Sequence, residues 1–403
     1  MSAALGAPRR TTHCARGLAS VFGSTLFQLS GVFMLAPLML LRLKEAQIST
    51  TVAGLFAATT WLGILIVTPF ASSITHRLGR RPTLWLATGT PLLAALGFFT
   101  TKALALWFAL ELMAGVAGGL RWVLAETFIA EFAPPHQIGR FVGLYATLVG
   151  ATFVMGPALL AWVGAGSAVA QWLVLGLLAI GLAWTSFIPE LPPHPGAQHA
   201  RLGPRGLWQA LHAQPVIMLA GFVGGFFELG LASVLPLYGL TLGLDANAAA
   251  ALVAVSGLGG TLLAIPAGLM ADRMASPALG RRVLMRAFTL AIVLVSLISP
   301  WAPGWSTLAW PMVFVWGAAG GALYTLAMTD IGATHKAMAL VNSTAVLVLT
   351  YTLGGLVASG LCGALIDASV GSGFPALLLA VSSLALVALA RQRPTPAQHP
   401  PGT

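Results

Sequence analysis

The chain has 403 residues, of which 58% are hydrophobic and only 7% are charged. A soluble protein of this length could not bury so much apolar surface, because a large part of every folded surface is wetted. A net charge of +10 would fit a nucleic-acid-binding protein, but the positions of the charges argue against one. The composition therefore predicts a protein whose solvent is lipid.

Twelve apolar segments follow one another, each long enough to cross ~30 Å of hydrocarbon as a helix. Residues 287–329 contain no Asp, Glu, Lys or Arg, and the Pro- and Gly-containing turn at 300–304 divides that stretch in two. The predicted fold class is an all-α membrane protein with twelve transmembrane helices. These predicted spans, numbered one to twelve, cover approximately residues 17–41, 51–71, 83–101, 103–125, 141–165, 168–188, 215–240, 248–271, 283–302, 305–329, 337–366 and 372–390.

The positive charges predict the orientation of these spans. If the N-terminus is cytoplasmic, sixteen of the 20 Lys and Arg residues fall on the cytoplasmic side. Only Arg42, Lys44 and Lys102 fall on the other side, and Arg121 lies within span four. This distribution follows the positive-inside rule and predicts a multi-pass protein of a bacterial inner membrane with both termini in the cytoplasm. The first apolar run is too long for a signal peptide and is interpreted as span one.

A repeated segment divides the chain into two related halves. Residues 115–129 read GVAGGLRWVLAETFI and residues 317–331 read GAAGGALYTLAMTDI, with eight identities and no gap. This repeat predicts two pseudo-symmetric six-helix bundles, at 1–190 and 215–403, joined by a cytoplasmic linker at 191–214. Secondary transporters are often built in this way, with the substrate site at the interface between the repeats.

Two loops carry related motifs. The sequence is SSITHRLGRR at 72–81, between spans two and three, and GLMADR at 268–273 followed by GRR at 280–282, between spans eight and nine. These loops resemble the repeated signature of the major facilitator superfamily, approximately GxxxDRxGRR. With the twelve spans and the central linker, the resemblance covers nearly the whole chain. The run at 119–145, in span four and the start of span five, is similar to a bacterial branch of this superfamily with mostly unassigned substrates. The resemblance implies a monomeric carrier of a small solute that needs no cofactor or metal.

The loop motifs are predicted to act as conformational latches, which hold neighbouring helices in one state and release them in the other. His76 stands where the family has an acid, so the first latch is expected to be weaker or sensitive to pH. The alternative is that these charges only fix the topology. Gly150, Gly156 and Pro157 are predicted to let span five bend. The predicted latch residues are His76, Arg77, Gly79, Arg80, Arg81, Gly268, Asp272, Arg273, Arg281 and Arg282.

Acids within the spans are the strongest indication of a site, because an ionised group in hydrocarbon costs ~3 kcal/mol on insertion scales. Glu228 lies near the middle of span seven and is predicted to face a central cavity, where it would bind a proton or a substrate cation. A structural hydrogen bond to another helix is the alternative.

Span four has a second set of candidates. Glu111, Gly115, Gly118, Trp122 and Glu126 follow helical spacing, so they could line a translocation path along one stripe. The alternative is that Glu126, near the cytoplasmic end of the span, is only solvated there.

Four further polar positions in the spans are candidates for contacts with substrate. Arg121 is not spaced to pair with Glu126, and its partner should come from another helix. Gln28, Asn342 and Tyr351 could bind substrate or a neighbouring helix. Asp330 is predicted to be a loop charge.

These features predict a secondary active transporter that moves a small solute by alternating access, coupled to protons. The alternatives left open are a non-transporting sensor on a transporter scaffold, and efflux of drugs or cations rather than uptake. An enzyme is not expected, because no predicted span contains a histidine that could join an acid–base or metal cluster. A channel would need a repeated ring of charges, and ATP-driven transport would need a GxxxxGK[ST] loop, which the sequence lacks.

Overall fold

The computed structural model describes residues 7–134, 137–189, 208–209, 211–212, 214–274, 276–334, 337–369 and 371–391. Within these ranges all regular secondary structure is helical, and twelve spans are long and apolar enough to cross a membrane. The predicted twelve transmembrane helices are confirmed. Most of the predicted linker at 191–214 lies outside the described residues.

The spans keep their predicted order, with one addition and one irregular helix. The addition is a short helix, Ala71–Leu78, in the loop after span two. The irregular helix is span seven, in which a π-helical turn, Phe226–Gly230, separates two α-helical pieces. The α-helices are Ala7–Glu45, Thr50–Val67, Ala71–Leu78, Arg80–Thr100, Leu104–Phe132, Ile138–Val163, Ala168–Thr185, Pro215–Gly225, Leu231–Thr241, Ala246–Asp272, Pro277–Ile298, Ala309–Thr334, Ala337–Ala368 and Gly373–Arg391.

The repeated segment packs in the same way in both halves. In the first half, Gly115 of span four lies so close to span two that a Cβ there would collide with the carbonyl of Thr60. In the second half, Gly317 of span ten lies equally close to the carbonyl of Ser256 in span eight. Small residues allow such close approach of helix backbones. The duplicated glycines thus build equivalent helix pairs, and the fold consists of two pseudo-symmetric six-helix bundles.

The halves meet along spans two and eleven and along spans five and eight. Where spans two and eleven meet, the backbone N–H and Oγ1 of Thr51 donate to Oδ2 of Asp367 at 3.2 and 3.0 Å. A Cβ on Gly54 would lie 2.8 Å from Cα of Gly363. Where spans five and eight meet, Oδ1 of Asn247 accepts from the N–H of Ala165 at 3.1 Å. All three contacts lie toward the predicted external side of the membrane.

The hydrophobic core, like the contacts between the halves, differs between the predicted external and cytoplasmic sides of the membrane. One large cluster joins the halves and includes Met34 and Leu38 of span one with Leu235 of span seven. Toward the predicted cytoplasmic side, the first half has a separate cluster around Leu124 and Phe128. The inner part of span four also carries the exposed Glu126.

The close packing of span ten on span eight can be tested at Gly317. Gly→Ala in a helix normally stabilises by ~1 kcal/mol, but overpacking costs ~1–3 kcal/mol. We expect Gly317→Ala to lower the melting temperature of the purified protein by several degrees. A Cβ added to Gly176 in span six would meet no atom within 4 Å, so Gly176→Ala should leave the melting temperature unchanged or raise it. Equal effects of the two substitutions would contradict the packing described.

Candidate functional site: Glu228 and its surroundings

Glu228 lies on the π-helical turn Phe226–Gly230, in the middle of span seven. A π-turn accommodates one extra residue and changes the direction in which its side chains point, and such turns are frequent at functional sites. The Glu228 side chain is half-buried. Its carboxylate is directed among spans eight, ten and eleven of the second half, away from the lipid.

Three helices form the surroundings of this carboxylate. The hydroxyl of Tyr351 in span eleven donates to Oε2 of Glu228 at 2.5 Å. A Cβ on either Gly260 or Gly321 would lie 3.0 Å from Oε1, so the carboxylate packs tightly against these two glycines. Among the described residues, neither resolved ion pair includes Glu228. The acid is thus held by a hydroxyl and by shape, without a basic partner in this part of the chain.

Aromatic residues lie beside the in-span acids of both halves. The rings of Tyr324 and Tyr351 lie 4.4 Å apart between centroids. On the first half, Nε1 of Trp122 donates to Oε1 of Glu126 at 2.7 Å. Glu228, Tyr351 and Tyr324 thus form one group in the second half, and Trp122 and Glu126 form a separate pair in the first.

Tyr324 was not among the residues predicted from the sequence, although a signal for it was present. In the repeat, Tyr324 occupies the position that corresponds to Trp122. The alignment of 115–129 with 317–331 therefore predicts Tyr324 as the counterpart of Trp122. The two aromatic residues lie beside acids in opposite halves.

Arg121 turns toward span one rather than toward Glu126. Its guanidinium is buried and donates to Oγ of Ser24 at 3.4 Å and to Oγ1 of Thr25 at 3.1 Å. Tyr145 of span five is within electrostatic range of Arg121 and hydrogen-bonds to Thr25. Arg121 therefore lies in the wall of the first half, and its partners come from other helices.

The structure does not place Glu111 with either Glu126 or Glu228. Glu111 accepts a hydrogen bond from Thr60 of span two, and Gly115 packs against the same residue. The stripe predicted from Glu111 to Glu126 therefore does not line one path. Its outer part is covered by span two, because the glycines of span four bring the two helices into contact.

Two other predicted residues lie apart from these acids. Gln28 is fully buried, and its Nε2 donates to the carbonyl of Thr88 in span three at 3.1 Å, so it joins helices inside the first half. Asn342 is half-buried, nearer the predicted cytoplasmic end of span eleven than Tyr351. Among the described residues, no partner is found for Oδ1 of Asn342.

Two ion pairs occupy equivalent places at the predicted cytoplasmic ends. Arg80 forms a bidentate pair with Glu131 at 2.7 and 3.0 Å. Nε of Arg281 donates to Oδ1 of Asp330 at 2.8 Å, with both side chains buried. The prediction that Asp330 is a loop charge was wrong, because the helix Ala309–Thr334 extends past it. Each pair joins the start of the third span of a half to the end of the fourth.

The remaining latch residues lie in different environments. Gly79 has φ of 89°, which favours glycine, and joins the short helix Ala71–Leu78 to span three. Arg281 and Arg282 belong to the helix Pro277–Ile298, so the structure corrects their placement in a loop. The side chain of Asp272 lies outside the described residues. His76, Arg77 and Arg273 are exposed, Arg81 begins span three, and Gly268 lies within span eight.

The three predicted bend positions lie in one continuous helix, Ile138–Val163, which contains Pro157. A Cβ on Gly150 would lie 2.6 Å from Oγ1 of Thr261 in span eight, and one on Gly156 would lie 2.8 Å from the backbone of Met34 in span one. These glycines therefore allow close approach of span five to both halves.

Comparison with known proteins identifies the family. The sequence profile of the Major Facilitator Superfamily matches residues 21–348, and the chain belongs to this superfamily of membrane transporters. It is 25% identical to the uncharacterized MFS-type transporter YfkF of Bacillus subtilis, over 75% of this chain and 77% of that protein. It is also 25% identical to the uncharacterized MFS-type transporter YcaD of Salmonella paratyphi A, over 91% of this chain and 94% of that protein.

Solved structures share the fold. The nucleoside transporter NupG superposes with a TM-score of 0.74 at 14% identity, covering 94% of this chain and 97% of that chain. The xylose transporter XylE of E. coli superposes with a TM-score of 0.70 at 14% identity, covering 95% and 98%. The protein is thus a multi-pass membrane transporter with the twelve-helix fold of its superfamily.

The two ion pairs differ in burial, which gives a test of their strength. Asp330→Asn leaves Arg281 buried without its counter-charge, a loss of ~3–5 kcal/mol. Glu131→Gln breaks the more exposed pair and should cost ~1 kcal/mol or less. We expect Asp330→Asn to lower the melting temperature clearly more than Glu131→Gln. The double variant Arg281→Met with Asp330→Leu should recover most of the loss, and equal losses for the two single variants would contradict the burial described.

Proposed function

We propose that this transporter couples the movement of a small solute to protons, and that Glu228 carries the proton. The observation that supports the proposal is the isolated carboxylate of Glu228 in the middle of span seven. An ionised carboxylate is costly away from water. Uptake of a proton neutralises Glu228 and therefore lowers the free energy of the state in which this residue is enclosed. The hydroxyl of Tyr351 can bond to either protonation state of the acid.

The transport cycle proposed here is alternating access. The described contacts between the halves, from Thr51–Asp367 inward, support a state closed on the external side and open on the cytoplasmic side. Rocking of the bundle at 1–190 against that at 215–403, across the linker at 191–214, would close the inner side and open the outer one. The proposal places the protein as a monomer in the bacterial inner membrane with cytoplasmic termini, as the positive charges favour.

The role of Glu228 can be tested by flux in proteoliposomes, with a solute first selected by a thermal-shift screen of the purified protein. We expect the parent protein to accumulate this solute when a pH gradient is imposed. Glu228→Gln cannot release a proton, so it should lose accumulation and retain exchange of labelled for unlabelled solute.

The matched control for this experiment is Glu45→Gln, which removes an acid from the exposed external end of span one. This variant should accumulate solute as the parent does. Accumulation by Glu228→Gln at the parental level would refute the proton role. Binding of solute without flux in the parent itself would favour the non-transporting sensor.

Alternating access can be tested at the external contact between the halves. Thr51→Cys and Asp367→Cys, in a background with Cys14 and Cys362 replaced by Ala, should form a disulfide on oxidation, because Oγ1 of Thr51 and Oδ2 of Asp367 are 3.0 Å apart. We expect the cross-link to abolish solute exchange and reduction to restore it. Each single-cysteine variant should be insensitive to oxidation. Full exchange by quantitatively cross-linked protein would contradict the proposed cycle.

A further inference from the structure

We infer that the first half binds an anionic phospholipid at the predicted cytoplasmic surface. Its acyl chain occupies an apolar pocket between spans one and five, and its headgroup phosphate contacts Arg16 and Arg140. This site is separate from Glu228 and goes beyond the proposed transport function. Three observations carry the inference: the lining of the pocket, an arginine at the end of each of its walls, and the lack of acids in the two spans that form it.

The pocket lies between the inner parts of spans one and five. It has a volume of about 550 Å³, and its lining includes Cys14, Leu18, Phe22, Phe141 and Leu144. This volume is within the ~300–1,000 Å³ of typical ligand pockets. From Cys14 to Phe22 the pocket follows span one for about 12 Å, because each residue of an α-helix rises ~1.5 Å. An apolar space that follows a helix axis suits a hydrocarbon chain and offers no hydrogen bonds to a polar solute.

The pocket is open to the surroundings of the protein. Leu144, which lines it, is 53% exposed, and the lining residues Ala15 and Ala19 are also exposed. With the predicted cytoplasmic N-terminus, the opening lies at the level of the inner leaflet. Acyl chains are therefore the apolar material available to fill it.

Each wall of the pocket continues into an arginine toward the predicted cytoplasmic side. On span one, Arg16 lies three residues before the lining residue Ala19, and on span five, Arg140 lies four residues before Leu144. Residues at these spacings are neighbours on one helix face. Both arginines are exposed, and neither of the ion pairs resolved in the described part of the chain includes them. Both guanidinium groups are therefore available to a ligand.

The two spans carry no negative charge of their own. The sequence has no Asp or Glu before Glu45 and none between Glu131 and Glu190, and Glu131 is paired with Arg80. The segments that form the pocket therefore attract an anion. Guanidinium groups bind phosphate oxygens through paired hydrogen bonds, and basic pockets between helices on the cytoplasmic side are typical sites for anionic lipid headgroups.

The combination of features favours a phospholipid over simpler ligands. A free phosphate would bind the arginines and leave the apolar pocket empty, whereas a neutral hydrocarbon would fill the pocket and leave both arginines unpaired. A zwitterionic phospholipid would bring its own cation close to the arginines. An anionic phospholipid satisfies both parts of the site, so the site selects for net negative charge.

The headgroup contact is tested by native mass spectrometry of the purified full-length protein, titrated with phosphatidylglycerol or with phosphatidylcholine that has the same acyl chains. We expect phosphatidylglycerol to bind at least about 10-fold more tightly, and Arg16→Gln with Arg140→Gln to abolish this preference. The control variant Lys102→Gln with Arg391→Gln removes the same charge from two exposed residues outside the pocket and should keep the preference.

The chain contact is tested separately by Ala19→Phe, which fills part of the pocket and leaves both arginines in place. We expect this variant to bind phosphatidylglycerol several-fold more weakly than the parent. Ala105→Phe, at an exposed position of span four outside the pocket, should bind it as the parent does. Because both positions are exposed, the two variants should melt close to the parent in lipid-free detergent.

The occupant in a membrane is tested with Cys14, which lines the pocket, as a reporter in a Cys362→Ala background. The protein is placed in nanodiscs of phosphatidylcholine with or without phosphatidylglycerol, and the rate of labelling by a neutral maleimide is measured. We expect phosphatidylglycerol to slow the labelling of Cys14. Arg16→Gln with Arg140→Gln should remove this protection.

Equal binding of the two lipids, a preference that survives the loss of both arginines, or unchanged binding in Ala19→Phe overturns the inference. Equal protection of Cys14 in lipid-free detergent also overturns it, because another part of the chain or a second copy then covers the pocket. Binding of glycerol phosphate as tight as that of phosphatidylglycerol would refute the role of the acyl chain. Proton coupling is tested independently of these results by the flux experiment on Glu228→Gln.

Discussion

A carboxylate in the middle of a membrane is tolerated only where neighbouring helices leave space for it and supply hydrogen bonds. In this protein, the glycines at 260 and 321 leave the space beside Glu228, and Tyr351 supplies the bond. The π-helical turn of span seven fits this requirement, because its wider backbone directs the acid among three helices rather than toward lipid. Spans seven, eight, ten and eleven therefore pack together around the single carboxyl group of Glu228.

The same glycine-rich segment serves packing in both halves, but only the second copy lies beside Glu228. Gly115 and Gly317 hold equivalent helix pairs together, and the pairs Arg80–Glu131 and Arg281–Asp330 brace equivalent helix ends. Only in the second half does the segment also border Glu228, through Gly321. Duplication therefore accounts for the scaffold, while the residue proposed to carry the proton belongs to the second half alone.

The sequence predicted the fold because a bilayer requires apolar spans of a given length, and because positive charges mark the loops on the cytoplasmic side. The internal repeat then predicted how the spans divide into two halves. It selected Glu228 because acids are rare in the spans, but it could not predict the π-turn, which depends on packing against other helices. Asp330 was misplaced because the helix continues beyond its apolar part, and its partner Arg281 is distant in sequence. Glu111 and Glu126 have the same spacing signal, and only tertiary packing shows that span two covers one of them.

The aromatic pair Trp122 and Tyr324 is related by the repeat, whereas the acids are not. The position that corresponds to Glu126 in the repeated segment is Met328. The pseudo-two-fold axis therefore relates the shape of the two walls but not their electric field. Glu126 lies nearer one membrane face than Glu228 does. The two carboxylates are therefore distributed asymmetrically across the membrane. An entering ion would meet the two carboxylates in opposite order from the two compartments.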